Sequence, residues 1–381
     1  MPLQEDLKKL NHPTRIIFKE GAISQLDSII DFSRIVLITS KGSKERGLVQ
    51  LISGILGNRL VGIFDDVLPN PTIDFLDIQL QRLKTLKPDV LLAVGGGSCI
   101  DTAKSLARMM GLPKDLSLRE HLTNQAQTER IGNLKVIAVP TTAGSGSEVT
   151  PFATVWDLVE RVKHSISGSD VYPALAILDP ELTSSLPDSI TISSGFDTVS
   201  HALESVWNVN AIDVTKDLAR RSLALSLNAL ANFDSLTEFH YRRDMMEASL
   251  LAGLAISHTR TSLAHSISYP ITMEMGVPHG IASSFTLPIL LNFNSSAKIN
   301  NVMDLASSLH YVSVNKMAEN LAELYIRSGA AQILKNSISN KEQVLGLTSR
   351  MFHPDRVKNN VREVSNSDVR IIVSGALDIF L

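Results

Sequence analysis

The sequence predicts an α/β half followed by an all-helical half. Up to about residue 183, short apolar runs rich in β-branched residues alternate with helical stretches. Beyond that point helical periodicity dominates and no convincing strand is visible. Between the two lies "DPELTSSLPDS", where two prolines interrupt regular structure. The chain has 381 residues, more than one hydrophobic core usually serves, so it divides into domains 1–183 and 184–381.

Taken in order, "RIVLITS" (34–40) is a short apolar run that ends in turn residues. "LVGIFDDV" (60–67) is a second, and the "LPNPT" after it is forced into an irregular loop by its prolines. "TIDFLDIQLQRLKTLKP" has the spacing of an amphipathic helix. "DVLLAVGGGS" (89–98) is a buried strand running into glycines, and "CIDTAKSLARMMG" is a helix that stops at Gly111. "KVIAVPTTAGSGSE" (135–148) repeats the strand-into-glycine pattern, and "ALAILDP" (174–180) is one more buried strand. Uninterrupted β-branched runs between helices mark a parallel sheet covered on both faces. The second half reads as helices through "SSGFDTVSHALESVWN", "VTKDLARRSLALSLNALANF", "RDMMEASLLAGLAISHT" and "NKMAENLAELYIRSG". No internal repeat or low-complexity tract is present.

Hydrophobic residues make up 44% and charged residues 20%, as expected of a globular protein in water. A net charge of −3 gives no reason to expect nucleic acid or an anionic membrane as partner. The single cysteine, Cys99, excludes an internal disulfide and fits a reducing compartment. "MPLQEDLKKLNHPTR" has no apolar signal-peptide core, and no run of about 18 apolar residues could span a bilayer. The expected setting is the cytoplasm.

"AVGGGSCIDTAK" places Gly95, Gly96, Gly97 and Ser98 between a strand and a helix start. Without side chains the backbone can approach a ligand, and the helix N-terminus offers N–H groups to an anion such as a dinucleotide pyrophosphate. A simple tight turn accounts for these residues equally well. "PTTAGSGSE" (140–148) is a second such loop after a second strand, and two loops at adjacent strand ends outline one cleft. Asp101 reads as a helix-start residue.

In "SGFDTVSHALES" (194–205), Asp197 and His201 are four apart and share a helix face, with no Lys or Arg in the stretch to pair the carboxylate. His258, His265 and His279 follow. A carboxylate with several imidazoles is a mixed N/O set suited to Fe²⁺ or Zn²⁺. Solvated or hydrogen-bonded histidines are the alternative.

The motifs "GGGSCIDTAK", "PTTAGSGSEVT", "DPELTSSLP", "GFDTVSHALE" and "AHSISYP…GVPHG" occur in this order. Together they resemble the iron-containing (group III) alcohol dehydrogenase family of the dehydroquinate synthase-like superfamily. The resemblance implies an N-terminal α/β dinucleotide-binding domain, an all-α C-terminal domain, and metal and cofactor in the cleft between them. It puts the metal ligands at Asp197, His201, His265 and His279. It places Gly96, Gly97 and Ser98 under the pyrophosphate of NAD(P)H, and Thr141, Thr142, Ser145 and Lys163 on the ribose and nicotinamide side. Ser40 and Asn70 join the cofactor residues. It further implies a small aldehyde or alcohol substrate and a homodimer.

Three departures from the family pattern carry information. Tyr269 stands where the family usually has a histidine beside the nicotinamide, so its hydroxyl is the candidate proton relay. Ser40 replaces the aspartate that often holds the adenosine ribose, and Lys41 and Lys44 follow it, so NADPH is expected to be accepted. "HTRTSLAH" (258–265) replaces a small, apolar approach to the third ligand. Arg260 and His258 thus become candidate substrate contacts, because a guanidinium fork suits phosphonate or carboxylate. Alternatively, Arg260 braces the helices by pairing with Glu247 or Glu274. The wording resembles the branch that reduces phosphonoacetaldehyde. A neutral short-chain alcohol dehydrogenase, a dehydroquinate synthase-like lyase and a non-catalytic sensor that binds nucleotide and metal are the competing functions.

Overall fold

The computed structural model describes Lys8 and residues 10–111, 117–124, 134–232, 238–297 and 301–381. Residues 1–7, which fall within the stretch read as lacking a signal-peptide core, lie outside the described residues. The chain forms two compact units. One comprises His12–Thr142 and Ser147–Ser185; the other is built on Leu186–Leu381 and takes in Ala143–Gly146.

The first unit carries a six-stranded, wholly parallel sheet. Its strands are β1 (Arg15–Phe18), β2 (Ile35–Ser40), β3 (Leu60–Val67), β4 (Val90–Gly95), β5 (Lys135–Pro140) and β8 (Leu175–Leu178), in the order β1-β8-β5-β4-β2-β3. Between β5 and β8 the antiparallel hairpin β6 (Phe152–Asp157) and β7 (Val162–Ser167) stands outside that sheet. β2 and β4 are buried along nearly their whole length because both faces are covered. Alternate residues divide between two cores. Val36, Ile38, Leu91 and Ala93 point to one, and Ile35, Leu37, Val90 and Leu92 to the other. Helices α1 (Leu48–Leu56), α2 (Ile73–Leu86) and α3 (Gly97–Met110) connect the strands. Thr72 caps α2 by accepting from the N–H of Phe75, and α3 ends at Gly111 as its sequence predicts.

This topology has a switch point. From β2 the chain turns to β3 on one side, and from β4 it moves to β5 on the other. The carboxyl ends of β2 and β4, at Ser40 and Gly95, are therefore neighbours over a crevice, the place where open α/β sheets bind ligands. Asp101 lies one turn into α3 rather than at its start. It accepts from Ser147 Oγ (2.5 Å) and Thr154 N (2.8 Å), so it fastens the segment after the second glycine loop to α3.

The second unit is helical: α4 (Asp188–Val206), α5 (Asp213–Ala231), α6 (Phe239–Thr259), α7 (Leu263–Met275), α8 (His279–Ser284), α9 (Leu287–Ser295), α10 (Val314–Arg327) and α11 (Asn366–Phe380), with further helices of four to eight residues between some of them. α4 is buried almost throughout, which accounts for its small and apolar composition. No helix among the described residues is long and apolar enough to cross a membrane.

Candidate metal centre and nucleotide loop

Asp197 and His201 sit on one face of α4, as their spacing of four dictates. His265 enters from the first turn of α7, and His279 opens α8. The backbone at Gly280 presses onto α4 so closely that an added Cβ would lie 1.9 Å from the Ser193 carbonyl oxygen. Only glycine permits that approach, and it brings His279 over Asp197.

The side chains converge on a single atom. Asp197 Oδ1 lies 3.8 Å from His201 Nε2, 3.6 Å from His265 Nε2 and 3.9 Å from His279 Nε2. Asp197, His265 and His279 form the tightest group, with donor atoms all within 4.8 Å of one another. His201 adjoins it through Asp197, with its ring stacked on His265 at 4.7 Å between centroids. Asp197, His201 and His265 are buried, whereas 29% of the His279 side chain is exposed and marks the open side.

The outer nitrogens set the tautomers. His265 Nδ1 lies 2.5 Å from Glu204 Oε2, and His201 Nδ1 lies 3.1 Å from the Gly144 carbonyl oxygen. A carbonyl oxygen only accepts, so His201 carries its proton on Nδ1 and turns the Nε2 lone pair inward. Glu204 also accepts from Ser262 Oγ (3.0 Å) and Ala264 N (2.7 Å). Burial opposes charge on Asp197, but the imidazoles of His201, His265 and His279 hold its carboxyl far below the usual range. Burial likewise opposes charge on His265, but Glu204 and Asp197 outweigh it and raise the imidazole to about 9.

These residues fit a divalent transition ion. His265 Nε2 is buried, has no hydrogen-bond partner among the described residues and faces Asp197. Donors bound at about 2.1 Å around a tetrahedral ion stand roughly 3.4 Å apart, close to the separations found here. Sequence reasoning missed Glu204. It lies three residues after His201 and seven after Asp197, so the same helical face supplied the signal.

Tyr269 belongs to this neighbourhood. It follows His265 by one turn of α7, and its ring lies 6.5 Å from that of His279, nearly parallel. Arg356, which no sequence motif marked, lies near enough to Tyr269 for the two side chains to interact. His258 and Arg260 are exposed at the end of α6. Glu274, one brace considered for Arg260, pairs with Arg350 Nη1 at 2.7 Å.

In the α/β unit, Gly96 caps α3, and Gly96, Gly97 and Ser98 keep part of their surface accessible. Asn70 adopts a left-handed conformation (φ 60°), and its N–H donates to Ser98 Oγ at 3.2 Å. Thr141 N donates to the Gly95 carbonyl (3.0 Å), and the site of a Gly96 Cβ would face Thr142 Oγ1 at 3.3 Å. Ser40, Asn70, Gly96, Gly97, Ser98, Thr141 and Thr142 therefore fall in the unit that carries the sheet. Ser145 lies in the stretch that clusters with the helical unit, and Lys163 Nζ sits over the Trp156 ring on the hairpin. Lys44 pairs with Asp65 at 2.6 Å and Lys41 with Glu45 at 3.7 Å, so both lysines proposed to attract a 2′-phosphate already face carboxylates. Arg46 faces Ser43 Oγ at 3.3 Å, and its buried Nε has no partner among the described residues.

Residues 13–180 match the family described as iron-containing alcohol dehydrogenase, and residues 191–377 match the C-terminal domain of the same family. An aldehyde-alcohol dehydrogenase of Streptococcus pneumoniae is 29% identical over 77% of this chain, which spans only 34% of that protein's length. A phosphonoacetaldehyde reductase of Streptomyces viridochromogenes is 32% identical over 63% of this chain and 62% of its own. The crystal structure of sulfoacetaldehyde reductase from Bifidobacterium kashiwanohense in complex with NAD⁺ superposes with a TM-score of 0.88. It is 28% identical, and the match covers 96% of this chain and 97% of that one.

Proposed function

This chain belongs to the iron-containing alcohol dehydrogenase family, and on that premise we propose that it is a metal-dependent, NAD(P)H-linked reductase of a short anionic aldehyde such as phosphonoacetaldehyde. The observation that carries this reading is the convergence of three imidazole Nε2 atoms on Asp197 Oδ1. Two relatives named for aldehydes that bear an acid group support the substrate class.

Fe²⁺ is the ion assigned, and Zn²⁺ suits the same donors. When bound, the ion supplies Lewis acidity toward a carbonyl oxygen and the nicotinamide supplies the hydride. The chain's own residues do the rest. Asp197, His201, His265 and His279 hold the ion, while Glu204 and the Gly144 carbonyl fix the rings of His265 and His201. The backbone of Gly96, Gly97 and Ser98 takes the pyrophosphate, with Asn70 steadying Ser98. Thr141, Thr142, Ser145 and Lys163 serve the ribose and nicotinamide. The Tyr269 phenol, beside the Arg356 guanidinium, is the group placed to give a proton to the substrate oxygen. NADPH is accepted beside NADH because Ser40 presents no carboxylate to a 2′-phosphate and Arg46, facing Ser43, sits at the other end of the short helix that Ser40 caps. The assigned setting is a cytoplasmic homodimer, in keeping with a lone, buried thiol at Cys99.

The test is to load the protein with Fe²⁺ or Zn²⁺, measure bound metal, and assay propanal and phosphonoacetaldehyde with NADH and NADPH. Wild type should reduce the anionic aldehyde better. Asp197→Ala should lose most metal and about a thousandfold in kcat, roughly 4 kcal/mol of barrier. Full metal occupancy and activity in Asp197→Ala would overturn the ligand assignment.

A further inference from the structure

We propose that Arg356 is the residue that holds the anionic end of the substrate, from a position beside Tyr269, which follows the candidate ligand His265 by one helical turn. This rests on the reductase reading above and deepens it.

Position comes first. His265 and Tyr269 are four residues apart on α7 and share a face, so the Tyr269 side chain starts about 6 Å from that of His265. The segment that carries Arg356 is fastened at both ends to the beginning of that helix and the residues just before it. Ser266 Oγ donates to the Met351 carbonyl (2.6 Å) and accepts from His353 N (2.9 Å). Further along, Asn359 Nδ2 donates to the Thr261 carbonyl (2.9 Å). Between these staples, the single turn Pro354–Val357 holds Arg356 opposite Tyr269. His353 adds an edge-on ring contact to Tyr269 at 6.4 Å.

Charge comes second. Arg356 is half-buried, and the group acting on it most strongly is the Tyr269 phenol, ahead of the carboxylates of Glu204 and Asp355. The two carboxylates nearby are committed elsewhere. Glu204 serves His265, Ser262 and Ala264, and Asp355 pairs with Lys358 at 2.6 Å. A guanidinium has five donors, and one phenol oxygen cannot occupy them. A partly desolvated cation without a bonded counter-ion is costly in a fold and useful in a binding site. An aldehyde carbonyl at the metal group and an acid group about one helical turn away match a two-carbon aldehyde bearing phosphonate or sulfonate. The planar fork of arginine suits either acid. Arg260, by contrast, is exposed at the end of α6 with φ 63°.

The experiment compares wild type, Arg356→Lys and Arg356→Ala as metal-loaded enzymes. Methylphosphonate, an unreactive probe, is titrated calorimetrically, and kcat and KM are measured on phosphonoacetaldehyde and propanal. Arg356→Ala should weaken methylphosphonate binding at least tenfold. It should also lower the kcat/KM ratio of phosphonoacetaldehyde to propanal by ten- to a hundredfold, mainly through KM, with Arg356→Lys in between. Equal losses on both aldehydes, or unchanged methylphosphonate binding, would show that Arg356 only braces α7. Wild type that binds no methylphosphonate would also overturn the proposal. If wild type reduces neither aldehyde the reductase reading fails, and the calorimetric titration still decides the role of Arg356.

Discussion

The loops that follow β4 and β5 are written in nearly the same residues, glycine and serine with a few threonines, and they use their glycines differently. After β4, Gly96 and Gly97 open a helix and keep their backbone accessible, so the missing side chains leave room for a ligand. After β5, Gly146 has φ +61°, and a Cβ there would meet Gly253 Cα of α6 at 2.5 Å. Here the missing side chain makes room for another helix. The same loop spends two carbonyls on α4: Ala143 accepts from Thr198 Oγ1 at 3.2 Å, and Gly144 lies 3.1 Å from His201 Nδ1. One loop leaves its backbone open, and the other packs against the helices and holds the His201 ring. Composition does not separate them; the neighbours of each absent Cβ do.

The sharpest way to break this comparison is Gly146→Ala. The new methyl meets backbone rather than a movable side chain, and the backbone conformation disfavours any L residue. Overpacking and a left-handed conformation together cost about 2–4 kcal/mol. Urea denaturation should show a loss of that size, and bound metal should fall because the loop carries the Gly144 carbonyl. A change below about 0.5 kcal/mol, with metal content intact, would mean that α6 gives way easily and the loop is not a packing element.

The same physics explains how much of the molecule was legible from its residues. Strands β2, β4, β5 and β8 stood out because burial on both faces leaves unbroken apolar runs, while β3, a partly buried edge strand, stood out through "LVGIF". β1 is only "RIIF", too short to distinguish from a loop. The β6–β7 hairpin was missed because only part of it is buried, and its connection has no Asn-Gly signal but turns through Arg161 at φ 53°. At the candidate metal centre the shared helix face of Asp197 and His201 was readable, since spacing along one helix is a sequence property. Glu204 was equally readable on the same face and was passed over. Arg356 was not readable, because its position depends on staples from Ser266 and Asn359 that join segments far apart in the chain. The assignment of Ala143–Gly146 to the helical unit likewise depends on tertiary packing against α4 and α6.

Gly96→Ala tests the other side of the comparison and should have a smaller effect. The backbone there (φ −73°, ψ −175°) is open to alanine. The nearest atoms to a new Cβ are Thr142 Oγ1 at 3.3 Å and Cγ2 at 3.4 Å, a side chain able to shift. Stability and metal content should stay close to wild type. NADH affinity, read by fluorescence quenching, should weaken about tenfold, near 1.4 kcal/mol. A stability loss as large as that of Gly146→Ala would erase the distinction between the loops.

The smallest effect is expected at the end of β2, the other wall of the crevice beside Gly95. Ser40 caps the following helical turn by accepting from Ser43 N at 3.3 Å, and aspartate performs the same cap, so Ser40→Asp should fold normally. On the proposed reading of Ser40, what changes is the charge offered to the adenosine ribose. A carboxylate can bond the 2′-hydroxyl of NADH and repels the 2′-phosphate of NADPH. Arg46, 3.3 Å from Ser43 Oγ, softens that repulsion, and solvent at this partly exposed position screens it further. The kcat/KM ratio of NADPH to NADH should therefore fall by only about five- to tenfold, roughly 1–1.4 kcal/mol. Arg46→Gln should move the same ratio in the same direction while NADH kinetics change little. If wild type strongly prefers NADH and Ser40→Asp leaves the ratio where it was, then the missing carboxylate at Ser40 does not set the cofactor, and the crevice reads the dinucleotide through its pyrophosphate alone.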